Sequence, residues 1–457
     1  MSSPALAQPN DAHAKALAIN LESSIYGTFA EIGAGQEVAR WFLSVGAASG
    51  TVAEATSAYD KTISDDIYGA GTRYVSKDRL VAMLNCEYKV LSERLDQERG
   101  ATTRFFVFAD TVATRNYQGT NEQHGWLGLR FQAEPKSQPS QILLHIHLKD
   151  STAVLQQSAI GILGVNLIYA AYHQRSSADE FLASVLEELS LERLEIDVIE
   201  LTGPAFAGVD SRLWCLHLLR SGQSHGLVFD SAAQVVEPAT PLHKRPVLVH
   251  STLHGDAQVS AAVPFDTARR QFLAEGKLCD HQPVTVLALS KRNFEDPNFD
   301  NAALLARIEQ LTPIATVVVT DYTEGYQAID YFRRYTAEPI RLIFWISDLV
   351  HIMRERVYKS QPGVTLEGLG RLLFTDVTIY VAPMSKAAFA AALGGMPEGG
   401  LPEGILRPAS GSDFITIDDF FPQPPTEHLF RYLRAAGRIL PLQQTPAKAP
   451  ASPGSGN

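Results

Sequence analysis

The sequence predicts an α/β protein. It has a largely parallel sheet with strand–helix alternation in the C-terminal half, and antiparallel strands plus helices in the N-terminal half. Three observations carry this. From residue 246 onward the runs PVLVHST, PVTVLALS, IATVVVT, IRLIFWIS and DVTIYVAP are short, β-branched and almost continuously apolar, as strands buried on both faces of a parallel sheet are. Helical patterns such as NAALLARIEQL (301–311) and GYQAIDYFRRYT (325–336) lie between them, and this alternation favours right-handed crossovers. In the N-terminal half, GWLGLRFQ (125–132) and QILLHIHL (141–148) flank AEPKSQPS, an antiparallel pair closed by a Pro-rich loop. An open doubly wound sheet is the first reading of the C-terminal half. Counting strands from 142 onward gives about eight, so a (β/α)8-like barrel is the alternative.

The elements follow in order. Residues 1–20 and 441–457 are small, polar or Pro-rich and are expected to be disordered tails. Between them lie an N-terminal α/β region, 21–240, and a C-terminal parallel α/β region, 241–440. Gly33 and Gly35 permit a tight turn. Val38, Trp41, Phe42 and Val45 then give one apolar helix face, with Trp41 and Phe42 buried and Gly46 as the stop. In 76–99, Leu80, Leu84, Tyr88, Leu91 and Leu95 share a helix face. Ser76 is the N-cap there and Gly100 the stop. Residues 104–113 read as a strand, 151–174 and 178–193 as helices, and 194–201 as a strand. The strands near 247–252, 284–289, 314–320, 340–346 and 377–381 are expected to be parallel neighbours in one sheet.

Composition narrows the function. The 457-residue chain is 45% hydrophobic, enough for a full core, and carries 39 Lys+Arg against 50 Asp+Glu. An acidic chain without a basic block lacks the cationic surface that nucleic-acid binding runs on, so no nucleic-acid partner is expected. Cys86, Cys215 and Cys279 are far apart and form no Cys-x-x-Cys pair, which excludes a zinc ribbon and points to reduced thiols. The N-terminus lacks a basic segment followed by an apolar core. The most apolar stretch, 159–172, is shorter than the ~18–20 residues of a membrane span and contains Asn166. A soluble cytoplasmic protein with no membrane partner is the expectation, with homo-oligomerisation open.

Three places could hold a site. Gly33, Gly35, Gln36 and Glu37 form the first, a ligand loop or only a turn. The dinucleotide fingerprint G-x-G-x-x-G fails at Val38. N–H groups at a helix start favour anions, yet Glu31 and Glu37 would oppose a phosphate. The second is His250, His254 and Asp256, a set suited to zinc or iron if the three converge. His145 and His147 alternate on one strand and read as a half-exposed pair. The third is positional, because ligands of open parallel sheets bind beyond the carboxyl ends of strands. Those ends supply Ser290, Lys291, Arg292 and Asn293, then Thr320 and Asp321, then Ser347 and Asp348. Lys291 and Arg292 would clamp an anion, and Asp321 and Asp348 would act as base or hold a metal ion. The plainer reading is charge where the chain reaches solvent. No Walker A, G-x-S-x-G or H-E-x-x-H motif occurs, and the sequence leaves the cofactor open.

The loop AEIGAG resembles the strand-end loop that cradles S-adenosylmethionine in methyltransferases, which expect glycine where Glu37 stands. More broadly, IYGTFAEIGAGQEVARWF, FFVFADTVA, HGWLGLRFQ, IGILGVNLIYAA and LEGLGRLLFTDVTIYVAPM together resemble a family of large bacterial and cyanobacterial proteins. The likeness runs from about residue 20 to residue 440. Some members of that family are labelled nicotinate-nucleotide adenylyltransferase. The H-x-G-H motif of nucleotidylyltransferases is absent here. The position five residues after Ser347, where they place an arginine, holds Ile352, and Arg354 is the nearest arginine. No catalytic residue is carried over from that superfamily.

Two functional classes follow. One is an intracellular enzyme acting on a nucleotide or other phosphorylated small molecule, with group transfer as the reaction class. The other is a non-catalytic assembly or regulatory protein.

Overall fold

The computed structural model describes residues 10–71, 73–251, 263–276, 278, 281–291, 294, 300–322, 325–353, 364–394, 405–408 and 411–443. The chain divides into two compact units, Met1–Leu227 and Val228–Asn457. The division falls upstream of the boundary expected at 240.

Unit 1 is built on six strands: β1 (Ile25–Ile32), β2 (Val52–Thr56), β3 (Arg104–Ala113), β4 (His124–Phe131), β5 (Ser140–Leu148) and β6 (Leu194–Thr202). Their order is β2-β1-β3-β4-β5-β6. The expected antiparallel strands are there, β3 through β6. β1, however, is parallel to both β2 and β3, so the sheet is mixed.

Among the described residues seven α-helices accompany the sheet: α1 (Ala12–Asn20), α2 (Glu37–Ser44), α3 (Lys61–Tyr68), α4 (Lys77–Leu95), α5 (Ala153–His173), α6 (Ala178–Val185) and α7 (Ser211–Arg220). α1 corrects the expected N-terminal tail. Asp11 caps it by accepting from the Ala14 N–H, and Ala12, Ala16 and Ile19 are fully buried on one face. Alanine hid this face, because its small side chain marks a helix stripe weakly. α4 matches the expected helix, with the Ser76 hydroxyl accepting from the Arg79 N–H at 3.2 Å. It ends at Leu95, and residues 96–100 continue as turns. α6 ends at Val185, well before the expected 193.

α5 is longer than the apolar stretch that marked it. At 21 residues it is long and, on average, apolar enough to cross a membrane by length and composition, yet every residue from Ala159 to Tyr172 is buried in the core. Asn166 on this helix donates to the carbonyls of Val185 and Glu187 and accepts from Lys15 at 2.9 Å. Gly164 lets α2 approach closely, since a Cβ there would lie 2.3 Å from Val38 Cγ2. Dense contact of this kind between helices accounts for much of a core's stability.

Unit 2 carries β7 (Gly226–Phe229), β8 (Val235–Val236), β9 (Val247–Ser251), β10 (Val284–Leu289), β11 (Thr316–Thr320), β12 (Ile340–Trp345) and β13 (Val377–Ala382). A small antiparallel hairpin, β14 (Met384–Ser385) with β15 (Phe414–Ile415), precedes β16 (Ile439–Pro441). The main sheet runs β16-β13-β12-β9-β10-β11-β7-β8. β9 to β13 are parallel neighbours, as expected, and β16 joins them parallel. Counted along the chain, the six parallel strands lie in the order 3-2-1-4-5-6 of doubly wound dinucleotide-binding sheets. The sheet is open, ending at β16 and β8, which rules out the barrel alternative. The helices are α8 (Ala239–Leu242), α9 (Phe265–Ala274), α10 (Asn301–Leu311), α11 (Gly325–Arg333), α12 (Ile346–Ile352), α13 (Val364–Leu372), α14 (Lys386–Gly394) and α15 (Thr426–Ala435). Val249, Leu342, Phe344, Ile379 and Phe332 belong to its core. Of the expected C-terminal tail, Pro441 ends β16 and Leu442 is buried.

Candidate functional site

In unit 2, β9 pairs with β10 on one side and β12 on the other. The strand order therefore reverses at β9, and in open sheets of this kind the carboxyl ends at such a reversal, here those of β9 and β12, are where ligands bind. The structure places several sequence-predicted residues along this edge. His250 lies near the end of β9, Ser290 and Lys291 follow β10, Asp321 follows β11, and Ser347 and Asp348 open α12 after β12. His254, Asp256, Arg292 and Asn293 lie outside the described residues.

The side chains along the edge differ in condition. Lys291 is exposed, and its backbone N–H donates to the Tyr322 carbonyl at 3.0 Å, tying the loop after β10 to the loop after β11. Asp348 is buried and accepts from the Trp345 N–H at 2.8 Å. Burial pushes its carboxyl up to about 7 against that hydrogen bond. A carboxyl poised there can exchange a proton near neutral pH. His250 is also buried. Its Nδ1–H donates to the Ile343 carbonyl at 2.9 Å, and burial pushes the ring down to about 4, so it is neutral. Ser347 Oγ lies 3.2 Å from Met384 Sδ.

The glycine turn of unit 1 resolves differently. Gly33 and Gly35 have φ of 100° and 80°, the left-handed region that favours glycine. The turn carries the chain from β1 into α2. Glu31, the penultimate residue of β1, reaches across it and accepts from the Val38 and Ala39 N–H groups at 3.0 and 2.9 Å. The helix-start donors that would face an anion are thus held by a carboxylate from the same chain. Gln36 is the N-cap residue without a side-chain cap, and Glu37 pairs with Arg40 at 2.9 Å. Phe42 is buried as expected, while Trp41 is half-buried.

Sequence reasoning missed a third cluster, on β4, β5 and β6 of unit 1. His145 is fully buried, and the side chain of His147 keeps 15% of its exposure. The expected half-exposed pair is therefore corrected, His145 being an interior residue. His145 Nδ1 lies 2.6 Å from Asp197 Oδ1, and His147 Nε2 lies 2.9 Å from Asp197 Oδ2. A β-bulge makes this possible. His145 pairs with Val198 and Ile146 with Ile196, leaving Asp197 as the extra residue. Bulges re-aim side chains in this way.

The chain of contacts continues outward. His145 Nε2 lies 3.1 Å from His124 Nδ1, and His124 Nε2 lies 3.4 Å from an Arg73 nitrogen. Arginine only donates, so one tautomer set gives every contact one donor. In it His124 donates from Nδ1 to His145, and His145 donates from Nδ1 to Asp197. Burial, assisted by the neighbouring imidazoles, pushes His124 down to about 3 and keeps it neutral. Burial alone would raise Asp197, but the two histidines outweigh it and hold the carboxyl well below its usual range. Burial likewise opposes the charged form of His147, yet the Asp197 carboxylate prevails and raises it. Beside them, buried Glu195 pairs with Lys149 at 2.9 Å and accepts from the His225 N–H at 2.7 Å.

The fold and these geometries define an α/β protein with a doubly wound unit and a separate buried histidine–carboxylate cluster. No family model and no curated protein matches the chain. Among solved structures it is similar to the competence/damage inducible protein CihA from Agrobacterium tumefaciens, at 17% identity and a TM-score of 0.26, covering 37% of this chain and 98% of that one. It is similar to a competence-damaged protein (CinA) superfamily protein from Escherichia coli, at 15% identity and a TM-score of 0.25, covering 41% and 96%. It is also similar to a competence or damage-inducible protein from Enterobacter asburiae, at 12% identity and a TM-score of 0.26, covering 36% and 99%. Likeness at these scores carries no argument for fold or function.

Proposed function

We propose that the carboxyl edge of the unit 2 sheet binds a nucleotide or another phosphorylated small molecule, and that the protein transfers a group to or from it. The observation that supports this is the reversal of strand order at β9, where β10 and β12 flank it in parallel. Lys291 offers an exposed cation at that edge, with Arg292 and Asn293 next in sequence. Asp321 and Asp348 supply the carboxylates, as base or as metal holders.

Thermal shift and calorimetry of the full chain with nucleoside phosphates and sugar phosphates test the reading. A ligand at 100 times its Kd adds about 2.7 kcal/mol of stability. Lys291→Ala should weaken that ligand about 10-fold, the scale of one charge-assisted contact, with the ligand-free midpoint unchanged. No ligand in the panel, or equal affinity in Lys291→Ala and Asp321→Asn, would overturn the proposal.

A non-catalytic assembly role is the second reading. It is favoured by Tyr59, Ile63 and Ile67, exposed at and just before α3, where Ile63 and Ile67 lie one helical turn apart. Sedimentation of Ile63→Glu beside the unaltered chain tests it. A common monomeric state for both would remove self-assembly through α3.

A further inference from the structure

We infer that His145, His147 and Asp197 form a binding site for a divalent first-row transition metal ion, built within unit 1 from residues distinct from those of the edge proposed above. The three side chains offer ligand atoms that all lie within 4.8 Å of one another. Two imidazoles and a carboxylate are a donor set for zinc and for ferrous iron.

The strand geometry explains the convergence. His145 and His147 are two apart on β5 and so point to one face. On the neighbouring strand, the bulge turns Asp197 between them. Donor separations of 2.6 and 2.9 Å are those of hydrogen bonds and fall short of the ~3.3 Å implied by tetrahedral coordination at zinc–ligand distances near 2.05 Å, so an ion requires the three groups to spread. The protons on His145 Nδ1 and His147 Nε2 occupy the lone-pair positions a cation would take. A small outward shift of each ring accommodates the exchange.

The surroundings fit a ligated histidine. Metal-bound imidazoles commonly engage their second ring nitrogen with a hydrogen-bonding partner that fixes ring orientation. For His145, bound through Nδ1, that partner is His124. The proton then sits on His145 Nε2 and is donated to His124 Nδ1, 3.1 Å away, the reverse of the metal-free tautomer set, and the 3.4 Å contact between His124 Nε2 and Arg73 opens. The Trp126 ring, 5.0 Å from the His145 ring by centroids, forms part of an apolar wall. Glu195 stands opposite His147 in the ladder and adds a second buried carboxylate. With neutral imidazoles, the three ligands carry one negative charge. A divalent ion more than offsets it, leaving one net positive charge, and cross-links β5 to β6.

The test uses the full chain, stripped with a chelator and titrated with Zn2+ and then Co2+. One equivalent of Co2+ should bind, with the visible absorption of a low-coordinate site, and Zn2+ should displace it. The sequence has 13 histidines, so variants must assign the site. His147→Ala removes a ligand at the partly exposed rim. Asp197→Asn keeps the shape and a hydrogen-bonding group while removing the anionic ligand. Each should reduce affinity by at least 100-fold, with far-ultraviolet circular dichroism checking the fold. His124→Gln should reduce it roughly 10–100-fold, as expected of an outer-shell partner. Three results would overturn the inference: no tight Co2+ binding by the unaltered chain, unchanged affinity in folded His147→Ala and Asp197→Asn, or loss in His124→Gln with full retention in His147→Ala.

Discussion

Glu31 and Asp110 stand opposite one another in the parallel ladder of β1 and β3, both buried. Glu31 is satisfied by two helix N–H groups, while Asp110 accepts the Ile32 N–H at 3.0 Å with one oxygen and has no partner for the other among the described residues. Burial pushes Glu31 up to about 7, and burial together with the Glu31 charge raises Asp110 well above its ordinary range. Two carboxylates so placed resist ionising together.

The pH dependence of stability follows. Between about pH 4.5 and pH 7 the folded chain keeps a proton that the unfolded chain releases, so stability falls as pH rises through this window. Asp348 in unit 2, also at about 7, contributes with the same sign. The buried neutral His124, at about 3, and His250, at about 4, contribute with the opposite sign below about pH 6.5, so the carboxyl contribution is read from the difference between Asp110→Asn and the unaltered chain. The loss should be on the order of a few kcal/mol. Urea denaturation of the full chain from pH 5 to pH 8 should show it, and Asp110→Asn should flatten the slope for unit 1. An undiminished slope in Asp110→Asn would remove the pair from the explanation.

The two glycines of the turn should differ sharply. A Cβ on Gly33 would lie 1.9 Å from the Val112 carbonyl oxygen, whereas a Cβ on Gly35 meets nothing nearer than Glu37 Oε1 at 3.9 Å. Gly35→Ala bears only left-handed backbone strain, about 1–2 kcal/mol. Gly33→Ala adds a backbone collision and should cost at least about 4 kcal/mol. Thermal midpoints of the two variants, compared with the unaltered chain, check the order.

Arg341 is fully buried on β12 between Glu275, at 2.6 Å, and Asp376, at 3.0 Å, with its guanidinium over the Phe272 ring. Glu275 also accepts from the Tyr380 hydroxyl. Arg341→Ala leaves a cavity at a fully buried position and removes the partner of two partly exposed acids, and should cost about 2–4 kcal/mol. Arg341→Met retains most of the volume and should cost less. Equal losses in denaturant midpoint would mean that charge, rather than packing, dominates here.

Removing residues 1–20 should destabilise unit 1 rather than leave it unchanged. The deletion takes away Lys15, which is buried and bonds Asn166 at 2.9 Å, the Ser184 carbonyl at 2.8 Å and Glu187 at 2.7 Å. It also uncovers the surface that Ala16 and Ile19 bury. Lys15→Ala should reproduce part of the effect, about 2–4 kcal/mol, through lost packing and lost hydrogen bonds. A truncated chain with an unchanged midpoint would contradict the packing described for α1.

The sequence made the parallel sheet of unit 2 readable because strands covered on both faces must be apolar at nearly every position. The order of those strands was not readable, since each crossover could return to either side of its predecessor. Ser76 was legible as a cap because the hydroxyl bonds only three residues ahead. The histidine cluster was half legible. His145 and His147 are neighbours in sequence, but Asp197 comes from another strand and reaches them through a bulge that no periodicity announces. Alternation suggested an exposed face for the pair, whereas His145 is sealed in. β1 escaped recognition because Gly27 within it and Gly33 just after it disguise an apolar strand as loop.

The place of β9 in unit 2 has a consequence for synthesis on the ribosome. Val247 pairs with Val284 of β10 and with Ile340 of β12, so the strand emerges before either neighbour exists. All six strands of unit 1 have been made once Thr202 emerges, while β9 must wait with one edge open until β12 arrives. An open apolar edge is a template for pairing with other nascent chains. The second unit is thus the one whose yield should depend on translation speed and on chaperones that shield strands, even if both units are equally stable once complete.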